Sequence, residues 1–329
     1  MENTTVNLQN RVFDAQKAEK KEIKSVSNKT GFAMLGNFII MITWSFFYMR
    51  ICGWFGISTT KALRLVNDAF MGEVIQLFVS VLMSLVPALI LCRACLKKPS
   101  AVAAFGKPKC KIGLIVAMSV GFCLFVSLLT NIAGSFFEQM GFHAPEVSIE
   151  MPEGIWGFFM SVLTVACVPA LVEEFAMRGI VLGLFRRFGD GFAVLVSAFM
   201  FAIMHASVNQ IPFAFFVGLA LGLATVNTGS VWTAVLIHFF NNFISVAVEY
   251  TGIFLGEDMQ SYIYLAILAS MLIILILCWT GLTKMQPEYF RFKPAQTAAS
   301  EKKKFIWFVF SPVVLIATAA SFCIAYFLR

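Results

Sequence analysis

The chain has 329 residues, of which 59% are hydrophobic and only 13% charged, and it carries a net charge of +7. Soluble domains hold about 45–50% apolar and about 25% charged residues, so a soluble enzyme or binding module is excluded, and repeated apolar runs of about 20 residues read as one membrane-spanning helical bundle. The basic residues fall mostly in the connections between apolar runs, as a membrane-topology signal requires, so no nucleic-acid partner is expected.

Residues 1–30 are polar and mixed in charge (Arg11, Lys17, Glu19, Lys20, Lys21, Glu22, Lys24), without the apolar core of a cleavable signal peptide. They read as a flexible cytoplasmic tail with at most some helix. Spans are expected at about 32–52, 73–94, 112–136, 155–186, 190–206, 212–227, 231–250, 260–282 and 305–328. The predicted fold is an all-α polytopic transmembrane helical bundle of about eight to nine spans. Its domains are a tail (1–30), three supporting spans (31–154), a polar core (155–250) and two C-terminal spans (251–329).

The connection at 93–111 carries Arg93, Lys97, Lys98, Lys107, Lys109 and Lys111, whereas that at 137–154 has Glu138, Glu146, Glu150 and Glu153 and no lysine or arginine. The first is therefore placed inside and the second outside, with a cytoplasmic N-terminus in what is expected to be the plasma membrane. The connections at 207–211 and 227–230 carry no charge, so the segment between them is expected to be short, tilted or partly re-entrant. The eight cysteines are scattered without repeated spacing, and the single Cys92-Arg93-Ala94-Cys95 has no second pair or nearby histidine. They read as small apolar residues rather than as disulfides or metal ligands.

Polar residues that are costly in lipid concentrate in 173–242. In Glu173-Glu174-Phe175-Ala176-Met177-Arg178, Glu174 and Arg178 are four apart, share a helix face and are expected to pair. Glu173 points roughly 100° away and is left without a partner on its own helix, in the position of a general base. Pro169, four residues before Glu173, deprives the Val165 carbonyl of its helical N–H, so a kink or polar opening is expected there. Of the three histidines, His143 lies in the acidic outer connection and reads as a surface residue. His205 has Phe201 one turn before it, and His238 has Asn242 one turn after it, on the same face. A carboxylate, two imidazoles and an amide are the parts that activate a water and stabilise a tetrahedral oxyanion in peptide hydrolysis. Cys167, the nearest thiol, has no histidine on its own face.

Glu-Glu-x-x-x-Arg, then Phe-x-x-x-His, then His-x-x-x-Asn, in this order on consecutive spans, resembles the CPBP family of intramembrane proteases. That family includes the CAAX prenyl endopeptidases and the bacteriocin-processing and bacteriocin-immunity proteins. The resemblance covers about residues 155–250 and makes that core a catalytic one. It implies that Glu173 and His205 activate the attacking water, that Glu174 and Arg178 support and orient the site, and that His238 and Asn242 stabilise the oxyanion. It implies a peptide or lipidated protein substrate in the bilayer. No cofactor is expected to be required; if zinc is used instead, its ligands would be Glu173, His205 and His238.

Two other readings keep the same residues. A bacteriocin-immunity or scaffolding protein would bind a peptide without turnover, and a proton-coupled transporter would use the carboxylates and histidines as a relay; the single central polar block, with no matching second half, speaks against the latter. Depth poses a further question. Glu173 and His205 lie about 14–15 residues from the cytoplasmic ends of their spans, roughly 22 Å, but His238 only about seven residues from the start of its own. Either that helix starts at mid-depth beside a wet cavity, or the sixth and seventh segments are shifted inward.

Overall fold

The computed structural model describes residues 2–95, 105–140, 151–292 and 297–327, and among them there is no strand. His143, Glu146 and Glu150 of the acidic connection, and Lys97, Lys98 and Lys293, lie outside the described residues. The helices are α1 (Glu2–Trp54), α2 (Thr59–Asn67), α3 (Ala69–Cys95), α4 (Gly113–Gln139), α5 (Gly154–Phe188), α6 (Asp190–Met204), α7 (Gln210–Thr228), α8 (Val231–Leu255), α9 (Glu257–Met285), α10 (Glu301–Val309) and α11 (Pro312–Phe327). This is an all-α polytopic bundle of an integral, multi-pass membrane protein.

Six of these helices are long and apolar enough to cross a membrane. The number rises to eight if each of two bent pairs is one span, α1 with its 52° bend and α10–α11 with its 67° bend before Pro312. The ninth expected segment, 190–206, is the 15-residue α6, roughly 22 Å long, against a hydrocarbon core of about 30 Å. Helical structure stops there at Met204, and residues 205–209 form a turn with Ala206 at φ 45° before α7 begins. The stop falls within two residues of the expected end of this span, although the turn contains neither glycine nor proline.

The N-terminal segment also differs from the expected loose tail. It is helical throughout, and one face of it, with Ile23, Val26, Ser27 and Thr30, is buried. Ser27 and Thr30 donate their hydroxyls to the carbonyls of Ile23 and Val26, so these polar positions enter the interior satisfied. Farther along the helix Glu19 accepts from the amides of Ala298 and Ala299, Glu22 pairs with Arg187 at 2.8 Å, and Asn28 accepts from the Val313 amide. The burial stripe is narrow and set in a lysine- and glutamate-rich sequence, so it does not stand out in composition. At the other end of the chain Lys304, fully buried, donates to Phe188 O, Thr297 Oγ1 and Glu301 Oε1, pinning α10 to the end of α5. All eight cysteines are free thiols.

Two prolines inside the bundle are handled in the same way. Pro87 in α3 leaves the Met83 carbonyl without a helical donor, and Asn37 of α1 supplies one at 3.2 Å. Pro169 in α5 does this to Val165, and Asn242 of α8 donates at 3.0 Å. An unpaired carbonyl in an apolar interior costs a few kcal/mol, and a side-chain amide from a neighbouring helix removes that penalty while fixing the register of two helices. Around Pro169 the helix also widens into a π-helical stretch, Val162–Cys167, followed after one α-helical segment by a second, Phe175–Leu182. Such widenings re-aim side chains and are frequent at functional sites.

The helices that carry the polar block are held close by small residues. Gly218 and Gly222 of α7 face Ala198 and Val194 of α6, and a Cβ on Gly218 would stand 2.9 Å from the Ala198 Cα. Such a small-xxx-small face lets membrane helix backbones approach closely. The start of α8 is roofed by the segment preceding α4: the Lys109 amide donates to Thr228 O, Ser230 Oγ to Gly106 O and Trp232 Nε1 to Phe105 O. The turn before α8 is thus covered by protein, the condition that non-helical backbone at depth must meet. We predict that Gly218→Ala, which has to push α6 and α7 apart, lowers stability by about 1–3 kcal/mol, seen as a lower thermal unfolding midpoint of the purified protein in detergent.

Candidate active site

The site begins at Glu174, on the last turn of ordinary α-helix in α5 before the second π-stretch, and fully buried. Its Oε1 accepts from Arg178 Nη1 at 2.7 Å, which is the pair expected from their spacing. The same oxygen accepts from His238 Nδ1 of α8 at 2.9 Å. One carboxylate oxygen therefore joins the Glu-Glu-x-x-x-Arg stretch to the His-x-x-x-Asn stretch, although 64 residues separate them in sequence. Glu174 Oε2 is buried and has no hydrogen-bond partner among the described residues.

Arg178 is fully buried as well and is held on three sides. Beyond Glu174 it donates from Nη2 to the Gly218 carbonyl at 3.1 Å, and its guanidinium lies over the Phe201 ring, 4.6 Å from the centroid. Only a planar fork of donors can serve a carboxylate and a carbonyl on different helices while stacking on a ring. The widening of α5 that begins at Phe175 frees backbone acceptors, and Ser197 Oγ of α6 donates to one of them, Met177 O, at 3.0 Å. Arg178 thereby ties α5 to α7, and Ser197 ties α5 to α6.

Phe201 is the apolar hub. Its ring meets His205 edge-on at 4.8 Å and His238 edge-on at 5.7 Å, while Arg178 covers it. Sequence spacing places Phe201 next to His205; that it also touches His238 and Arg178 is a property of the packing alone. His205 caps the end of α6, and its Nδ1 lies 2.8 Å from the Phe201 carbonyl. A carbonyl can only accept, so Nδ1 carries the hydrogen and Nε2 is the nitrogen that presents a lone pair. The Glu174 oxygen at His238 Nδ1 likewise only accepts, so that nitrogen also carries a hydrogen.

Glu173, the neighbour of this cluster, is half-buried, and no described residue hydrogen-bonds to its carboxylate. Asn242 is partly exposed; its amide nitrogen serves Val165 O and its Oδ1 accepts from Asn241 Nδ2. One of the two amide hydrogens of Asn242 is thus committed to holding α8 against the π-turn of α5. Among the described residues no three His, Cys, Asp or Glu side chains converge as a metal-holding group.

One buried carboxylate lies outside the polar block that the sequence singles out. Glu73, on α3, is 4% exposed and hydrogen-bonds to Ser161 and Thr164 of α5. Sequence reasoning passes over it because it is the first residue of the expected span 73–94, where a carboxylate reads as interfacial.

Residues 155–244, somewhat over a quarter of the chain, match the family model described as Rce1-like, Type II CAAX prenyl endopeptidase Rce1-like. Neither a curated protein nor a solved structure matches the chain. The matched stretch runs from α5 into α8 and contains every residue of the cluster just described. The match is consistent with the CPBP family of intramembrane proteases that the three motifs resemble. We predict that Arg178→Ala, which leaves Glu174 buried without its cation, destabilises the protein by about 3–5 kcal/mol, and that Arg178→Lys restores only part of this because an ammonium cannot reach Glu174 and Gly218 as a fork. Thermal unfolding in detergent measures both.

Proposed function

We propose that this protein is an intramembrane endopeptidase that hydrolyses a peptide bond of a membrane-associated substrate with a water activated by Glu173 and His205. The premise is the Rce1-like domain, and the observation that carries the reading is the Glu174 oxygen shared by Arg178 and His238. It brings two distant motifs into one site inside a bundle where an unpaired charge is not tolerated.

In the reaction, Glu173 takes a proton from water while His205 Nε2 accepts a second hydrogen bond and orients the attacking lone pair. The oxygen attacks the scissile carbonyl, and the resulting oxyanion is met by His238 and by the second amide hydrogen of Asn242. As Glu173 takes the proton, the oxyanion takes over its negative charge, so the attack leaves the net charge of the site unchanged. The tetrahedral intermediate collapses as the C–N bond breaks, and Glu173 returns its proton to the leaving amine. Glu174 and Arg178 do not react; through the Nδ1 hydrogen they hold His238 in one orientation.

The substrate class follows from the domain's likeness: a peptide held in the membrane, with a prenylated C-terminal segment as the first candidate and a bacteriocin or leader peptide as the second. The charge distribution of the connections supports a plasma-membrane protein with its N-terminus in the cytoplasm.

Comparative membrane proteomics of wild type against Glu173→Ala is the direct test, with the substrate expected to accumulate uncut in the variant. With that substrate and purified protein in liposomes, Glu173→Ala and His205→Ala are each expected to lower kcat by about 10²–10⁴, and cleavage as fast as wild type would refute the assignment. Chelation by 1,10-phenanthroline is expected to leave the rate unchanged. A loss that added zinc restores would replace the water-and-glutamate mechanism with a metal-dependent one.

A further inference from the structure

We infer that Glu73 is a positioning residue of this reaction: from α3 it holds the π-turn of α5 in the register at which Asn242 reaches the Val165 carbonyl. The inference rests on the endopeptidase reading for its kinetic consequence, but not for its structural one.

Three helices grip residues 161–165. Glu73 of α3 bonds Ser161 Oγ through Oε1 and accepts from Thr164 Oγ1 at 3.1 Å through Oε2. Tyr250 of α8 bonds Ser161 Oγ at 3.0 Å and donates to Pro152 O at 2.6 Å. Asn242, two turns earlier on α8, donates to Val165 O. Thr164 and Val165 are adjacent, so the side of the turn held by Glu73 and the carbonyl held by Asn242 move together. A π-turn next to a proline has fewer backbone constraints than an α-helix, and side chains from neighbouring helices must supply the rest.

Hydrogens are few in this cluster. Pro152 O only accepts, so Tyr250 gives it the phenolic hydrogen; the single hydroxyl hydrogen of Ser161 then serves Glu73 Oε1 and Tyr250, and that of Thr164 serves Glu73 Oε2 and the Met160 carbonyl. Both oxygens of Glu73 are thus engaged with α5, and no cation is paired with it among the described residues. Glutamine keeps a polar atom for each hydroxyl and so retains both contacts, whereas the function of a base or a metal ligand would be lost with it.

The test uses purified full-length protein in liposomes and the substrate that wild type cleaves and Glu173→Ala does not. Glu73→Gln is expected to stay near wild type. Glu73→Leu, and the milder Thr164→Val should Glu73→Leu not fold, are expected to lower kcat by about tenfold with KM unchanged. If Glu73 acts through the Val165–Asn242 contact, adding Glu73→Leu to Asn242→Ala lowers kcat no further than Asn242→Ala alone. Hydrogen–deuterium exchange supplies a readout that needs no turnover: amides of residues 162–167 exchange faster in Glu73→Leu or Thr164→Val, while those of residues 213–226 keep their rates. Loss of activity in Glu73→Gln equal to that in Glu73→Leu, multiplying losses in the double variant, or unchanged exchange at 162–167 each overturns the inference. Should Glu173→Ala cleave like wild type, the endopeptidase reading falls, and the exchange data still decide whether Glu73 holds the π-turn.

Discussion

The structure depends on one carboxylate oxygen. Glu174 Oε1 receives Arg178 from its own helix and His238 from α8, and all three side chains lie in a bundle surrounded by lipid-facing apolar surface. A charge in such a place has to be matched at contact distance, so the pairing is as much a condition for folding as a feature of the site. Once Glu174 and Arg178 are placed, Gly218 must offer its carbonyl and Phe201 its ring. Those requirements draw α6 and α7 against α5.

A second constraint is the cost of bare carbonyls. The bundle contains two prolines that break helical hydrogen bonds, and at both an asparagine from another helix fills the vacancy. On the α1–α3 side this is architecture. On the α5–α8 side the same device lies one turn from His238, so the amide that satisfies Val165 also sets where the remaining Asn242 hydrogen is presented. Helix repair and the candidate site share a residue there, and Glu73, with Ser161 and Thr164, contacts the repaired turn from α3.

Much of the site was legible before any fold was known. Costly residues stand out in an apolar background: Glu173, Glu174, Arg178, His205 and His238 are conspicuous because lipid tolerates them only for a reason, and helical spacing pairs Glu174 with Arg178 and frees Val165 beside Pro169. Other features were not legible. Phe201 is one of 36 phenylalanines; its spacing sets it beside His205, but nothing local shows that the same ring also meets His238 and a guanidinium. Glu73 sits near the start of its apolar run, where a carboxylate passes for an interfacial residue. The docked face of α1 hides behind lysines and glutamates.

By itself the sequence determined that the chain is a membrane-embedded helical bundle with a single polar core, because hydropathy and helical period are local properties written residue by residue. It also determined which ionisable groups had to be reconciled with the membrane. Only the tertiary structure decided how. It chose His238 as the second partner of Glu174, committed one Asn242 hydrogen to Val165, placed Phe201 between the imidazoles and brought Glu73 against the π-turn. Each of these joins groups on different helices, and the distance between helices is set by packing, by small residues such as Gly218 and by the need to satisfy every buried polar atom at once.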